Sequence, residues 1–154
     1  MSGMLWYDKA RNQISALARS NNTTYKRAAG VMAALSPRCR WSQNLKLADD
    51  CLQRKWPRTL PLSRRRAMKI ARGAEPLEIL GGPKTIAFYK AFMGDTEAIV
   101  LDSWMLRAAN HTISPTPLQY IRLAKKLRRT ATKLGLPPLH FQSIIWCKER
   151  KSTR

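Results

Sequence analysis

The stretch "LGGPKTIAFYKAFMGDTEAIVLDSW", Leu80 to Trp104, decides how the chain is read. It opens on a Gly-Gly pair, passes into a segment with helical spacing, halts at Gly94-Asp95 and ends with Asp102 directly behind the apolar run Ala98, Ile99, Val100, Leu101. A carboxylate in that place must be solvated, paired, used as a helix cap or used in chemistry. Upstream of it, a short helical turn over 76–80, the turn at Gly81-Gly82 and a helix opened by Pro83 make a hairpin over about residues 75–93. Such a hairpin presents backbone N–H groups at the positive end of a helix, where a phosphate binds. Gly81 and Gly82 would let a backbone approach closely, and Lys84 adds a charge at the same mouth.

Outside this stretch the charge dominates. The 154 residues carry 29 Lys plus Arg against 9 Asp plus Glu, a net charge of +20. That much like charge repels itself in a compact fold, and it is the footprint of a polyanion binder. Nucleic acid is the polyanion this predicts, and double-stranded DNA is the partner that the resemblance given below implies. A membrane surface fits less well, because the cations are spread along the chain and not gathered on one amphipathic helix. No apolar run approaches membrane-spanning length, and the start "MSGMLWYDKARNQ" does not read as a signal peptide. Cys39, Cys51 and Cys147 are widely spaced without a CxxC pair, and His111 and His140 have no partner at metal spacing. Reduced thiols in a cytoplasmic protein, no metal and no cofactor are the expectation.

The remainder of the pattern is helical. Leu5, Ile14 and Leu17 mark a helix near 4–20, and Asn/Thr caps precede an apolar helix ending near Leu35. After Pro37, an amphipathic segment places Leu45, Ala48 and Leu52 on one face. Ser63 is positioned to cap "RRRAMKIARG", which ends at Gly73. A helix begins at Asp102 and runs to Asn110, a long basic helix follows, and a last helix precedes a tail at 148–154 that reads as disordered. The architecture predicted is all-α, one compact multi-helix domain over 1–154, about eight helices with short connections, and a monomer.

With these residues in hand, the chain resembles the helix-hairpin-helix DNA glycosylases of the endonuclease III type. That family's hairpin has the form L-P-G-V-G-x-K-T-A, and its essential aspartate follows the lysine by 18 positions, at the end of an apolar run and the start of a helix. Here Lys84-Thr85 matches the K-T pair, Asp102 stands 18 positions on, and "AIVLDSWMLRAA" matches the apolar–Asp–helix pattern. Upstream, the family's L-S-x-Q, whose glutamine wedges into the gap left by a flipped base, corresponds to Leu35-Ser36-Pro37-Arg38. The departures are the L-G-G-P-K hairpin, the Arg in place of Gln, and the lack of the cysteine cluster found in many relatives. The short length is closest to compact phage-borne members, which would place the protein in the host cytoplasm.

The resemblance implies a DNA glycosylase that flips a nucleotide and cleaves the N-glycosidic bond of a damaged or modified base. Asp102 would stabilise the positive charge that develops on the sugar, or on the bland reading only cap the helix at 103–110. Lys84 is either the Schiff-base nucleophile of a glycosylase that also nicks the strand as an AP lyase, or a phosphate contact. Arg38 is a wedge or a phosphate contact. Gly81, Gly82, Thr85, Arg64, Arg65, Arg66, Lys125 and Lys126 would hold the DNA backbone. Trp41, Phe88, Tyr89 and Trp104 suit a core, with Trp104 and Trp41 the candidates for a base pocket. Two other readings stand beside this one: an enzyme modifying hypermodified pyrimidines in phage DNA, and a non-catalytic helix-hairpin-helix DNA binder.

Overall fold

The computed structural model describes residues 3–110 and 114–152, and the side chains of 6–110 and 114–151. His111, the side chain of Leu5 and the last two residues of the tail lie outside that description. The described residues are all-α, with no strand among them. In chain order the helices are α1 (Gly3–Ser20), α2 (Tyr25–Leu35), α3 (Trp41–Leu52), α4 (Pro61–Ala71), α5 (Pro76–Ile79), α6 (Pro83–Phe92), α7 (Ser103–Ala108), α8 (Pro117–Lys133) and α9 (Pro138–Ser152). Contacts gather in two compact units, one formed by 10–81 and the other by 1–9 with 82–154.

In the unit formed by 10–81, α2 is the central element. Thr24 accepts from the Arg27 N–H to start it, and every residue from Ala28 to Leu35 is buried. Small residues make this close packing possible. A Cβ on Gly30 would stand 2.7 Å from Cγ of Pro76, so the helix passes α5 at a distance only glycine permits. The amphipathic face of α3 is turned from the one expected. Asn44, Leu47, Ala48 and Cys51 are buried, while Leu45 and Leu52 are half-buried. The buried Asn44 amide donates to the Met32 carbonyl at 3.1 Å, which lets a polar residue take a core position. Ser63 is corrected as well: Pro61 starts α4, Leu60 is its N-cap, and Ser63 is buried inside the helix.

In the unit formed by 1–9 and 82–154, α6, α7, α8 and α9 surround the segment 98–101. A capping box starts α8, with Thr116 and Gln119 bonding each other's backbone N–H. Tyr120, Ala124 and Ala131 face inward, and Arg122, Lys125, Lys126 and Arg129 face solvent. The last helix runs to Ser152, past the start of the tail expected from 148, because the charged "KERK" has good helix formers and simply continues the turns of α9.

Candidate functional site

The site is built on the run Ala98, Ile99, Val100, Leu101. None of these residues is more than 3 % exposed. Their side chains alternate between two clusters. Ala98 and Val100 pack with Tyr7, Ala91 and Leu139, while Ile99 and Leu101 pack with Met105, Tyr120 and Ala124. A buried segment outside any helix must satisfy its backbone by other means. Here side chains do most of this, and the Asp102 N–H donates to the Val100 carbonyl at 3.1 Å. The Val100 N–H donates to Gln142 Oε1 at 2.6 Å, the Leu101 N–H donates to the Tyr120 hydroxyl at 3.0 Å, and that hydroxyl donates to the Ile99 carbonyl at 2.9 Å.

This thread delivers Asp102 to the start of α7 as a half-buried carboxylate. Its Oδ1 accepts from the Met105 N–H at 2.9 Å, an N-cap. Its Oδ2 accepts from the Trp146 indole N–H at 2.8 Å. Bonds to an ionised acceptor are stronger than neutral ones, and two of them on different oxygens fix the plane of the group. The carboxylate lines a cavity of about 80 Å³ together with Trp6, Tyr7, Phe88, Gln142 and Trp146. Trp6 packs on Trp146 with ring centroids 6.0 Å apart, and Arg150 lies over the Trp146 ring at 4.5 Å. One carboxylate thus meets a wall of aromatic rings.

Tyr7 is the second polar group there. Gln142 Nε2 donates to its hydroxyl at 3.0 Å, so the Gln142 side chain ties the Val100 backbone to Tyr7. Burial first, then the negative field of Asp102, push the Tyr7 phenol well above its ordinary value. The phenol is neutral at physiological pH and keeps a proton to donate.

The hairpin residues divide. Gly82 is the N-cap of α6 with φ +85, a conformation that favours glycine, and nothing lies within 4 Å of where its Cβ would be. Phosphate approach is the expectation for this turn, and the space before Gly82 is open. Gly81 does not fit that expectation. Its missing side chain makes room for the Arg66 guanidinium, whose Cζ would stand 2.7 Å from a Cβ there. Thr85 is also corrected, because it is buried and its hydroxyl donates to the Gly82 carbonyl at 3.2 Å, closing the first turn of α6. Lys84 is half-buried and does not line the Asp102 cavity. Phe88, which does, lies four residues further along α6 and so on the same face as Lys84.

The family model described as "Family of unknown function (DUF7178)" matches residues 1–153. The chain belongs to that family. No curated protein and no solved structure matches it.

In this family member the base-pocket expectation for Trp104 and Trp41 is replaced. Neither lines the cavity that holds Asp102. The Trp104 ring carries Arg107 at 5.2 Å, and the Trp41 indole N–H donates to Gln13 Oε1 at 2.7 Å. The rings that line the cavity with Asp102 are Trp6, Tyr7, Phe88 and Trp146. Gln142 and Trp146 were legible in principle, since they are four apart on α9 and share a face, but nothing in sequence ties that face to Asp102. Arg38 stands at φ +52, a left-handed conformation rare for a side chain of its size, in the turn after α2. Of the arginine triplet, Arg65 is exposed, Arg64 lies over the Trp56 ring at 4.6 Å, and Arg66 is half-buried. Lys125 and Lys126 are exposed. No disulfide joins the described cysteines; Cys51 is buried and its thiol is pushed by burial up to about 11. No three His, Cys, Asp or Glu side chains among the described residues group as metal ligands, and no described helix is long and apolar enough to cross a membrane.

Proposed function

We propose that this protein is a DNA glycosylase, which takes a damaged or modified nucleotide out of the duplex and cleaves its N-glycosidic bond. The observation that carries the reading is Asp102, a carboxylate pinned by two hydrogen bonds and facing an aromatic-walled cavity. Breaking the bond between C1′ and the base nitrogen leaves positive charge on the deoxyribose, and the base departs with the electron pair; water or an amine then bonds to C1′, and the proton it gives up neutralises the departed base. A fixed carboxylate stabilises that charge without having to reorganise. Aromatic walls suit a flipped base, which has lost its stacking partners at a cost of about a few kcal/mol. The Tyr7 phenol is a neutral donor at the same wall, suited to an oxygen or nitrogen on the base edge.

Arg38, in its left-handed turn, is the residue assigned to the gap left in the duplex. Backbone strain of that kind costs about 1 kcal/mol or more and is found at sites that hold a side chain for use. Exposed Lys125, Lys126 and Arg65 supply phosphate contacts, and the open N-terminus of α6 at Gly82 supplies another. Lys84, one turn before Phe88, is the amine assigned to attack C1′ in a combined glycosylase and lyase; a Schiff base there would lead to strand scission.

The test is a panel of duplexes, each with one altered base, scored for free base and for nicking at the resulting abasic site. Release from one duplex, lost in Asp102→Asn, supports the reading. Tight, salt-sensitive binding with no release from any duplex marks a DNA binder without chemistry. A base that changes mass and stays attached marks a modifying enzyme.

A further inference from the structure

The unit formed by 10–81 carries a concavity that shares no lining residue with the Asp102 cavity. It measures about 250 Å³ and is lined by Trp56, Arg64, Arg65, Met68, Lys69 and Arg72, with Pro61 closing one edge. Trp56 is 66 % exposed, the most open large apolar side chain among the described residues. An indole this open offers a flat apolar ring on which another ring can stack. Every charged residue that lines the groove with Trp56 is a cation. Between Asp50 and Glu75 the sequence holds eight Lys and Arg and no Asp or Glu, and Lys55 and Arg58 flank the tryptophan within two positions. Along α4, Arg65, Lys69 and Arg72 fall at i, i+4 and i+7 and form one exposed ridge, while Ala67, Met68 and Ile70 turn into the core. The Arg64 guanidinium lies over the indole at 4.6 Å, which holds the ring in place.

We propose that this groove binds an unpaired polynucleotide strand, with a base stacked on Trp56 and the phosphates tracked by Arg65, Lys69 and Arg72. A duplex would use only the cations, because its bases are stacked on one another and closed to an indole. An aromatic platform within a basic groove is the arrangement that takes single strands, and it is tolerant of sequence because every base has a face to stack. A lipid surface is the weaker fit, since the apolar face of α4 is already committed to the core and the outward face is charged.

The test compares a single-stranded oligodeoxythymidylate of roughly ten nucleotides with a hairpin duplex of equal charge, titrated against the full chain and its Trp56→Ala variant. The variant should lose about 5- to 100-fold on the single strand and stay within about twofold on the duplex, with the salt slope unchanged because no charge is removed. Arg65→Ala and Lys69→Ala should each lower that slope by about one on the single strand. Trp56→Phe should keep most of the affinity and lose the Trp56 share of the fluorescence quenching. Exposure of the side chain predicts wild-type melting for these variants, and a melting curve verifies it. Equal losses on both probes would overturn the proposal and leave a plain phosphate clamp. So would wild-type single-strand binding in Trp56→Ala, or a Trp56-dependent association with phosphatidylserine vesicles that leaves oligonucleotide binding untouched.

Discussion

Trp146 donates its indole N–H to Oδ2 of Asp102 at 2.8 Å, across 44 residues of chain. The other oxygen, Oδ1, is held by the first turn of α7. The orientation of one carboxylate thus depends on both α7 and α9. A helix cap needs one oxygen; the second bond is what a cap alone would not require.

Trp146→Phe removes that second bond and keeps most of the ring. A hydrogen bond to a charged group is worth about 1.5–3 kcal/mol when buried, and the half-exposed carboxylate places this one near or below the lower end. Urea unfolding should show a loss of about 1 kcal/mol. If Asp102 acts on the sugar, single-turnover base release should also slow while duplex affinity holds.

Asp102→Asn keeps the shape and an oxygen for the Met105 N–H, but its amide then confronts the Trp146 N–H donor to donor. Base release should fall by about 10²–10³, the scale of one preorganised electrostatic contact. DNA binding should be equal or tighter, since a negative charge has gone. Release at the wild-type rate would reduce Asp102 to a cap.

Lys84 separates a glycosylase that only releases base from one that also nicks. As a nucleophile it should yield a borohydride-trapped covalent adduct with DNA, absent from Lys84→Gln along with nicking. As a phosphate contact it should give no adduct, an uncut abasic site, and a salt slope smaller by about one in the variant.

Tyr120→Phe should be among the more costly conservative changes in the chain. Its hydroxyl serves the Leu101 N–H and the Ile99 carbonyl, both buried, and an orphaned buried polar group costs about 1–3 kcal/mol. The same phenol predicts an alkaline limit. Burial holds it up to about 12 against an ordinary value of 10.0. The unfolded chain therefore loses this proton first, and stability present below pH 10.0 is lost as pH rises toward 12. Urea midpoints taken across that window should fall, and Tyr120→Phe should flatten the part due to this group.

Duplex binding should weaken steeply with salt. If about six phosphates are neutralised, log K should fall against log[salt] with a slope near −5. A slope near zero would remove every nucleic-acid reading of the +20 charge.

Much of the fold could be read in sequence because its signals are local. Thr24, Pro83 and Asp102 mark helix starts by their own chemistry, and each stands at or beside one. Ser63 misled, since a capping residue is equally at home buried once Pro61 has started the helix. On α3 the expected face failed because Asn44, polar in sequence, has a carbonyl waiting in the core. The site itself was half legible. Asp102 was marked by the run before it, whereas Trp6, Gln142 and Trp146 reach it only through tertiary packing, which no spacing records. Gly81 was read as open to a ligand, and only the structure shows Arg66 filling the space.

The run 98–101 also sets a timetable for synthesis. As the chain emerges, this apolar segment precedes the side chains that satisfy it by 19 residues for the Leu101 N–H and 42 for the Val100 N–H. Until α9 has left the ribosome, the nascent protein exposes a short β-prone stretch with free backbone donors, a template for pairing with another copy. Chains released before Gln142 should therefore accumulate as aggregate and recruit chaperones, while full-length chains close over the segment on their own.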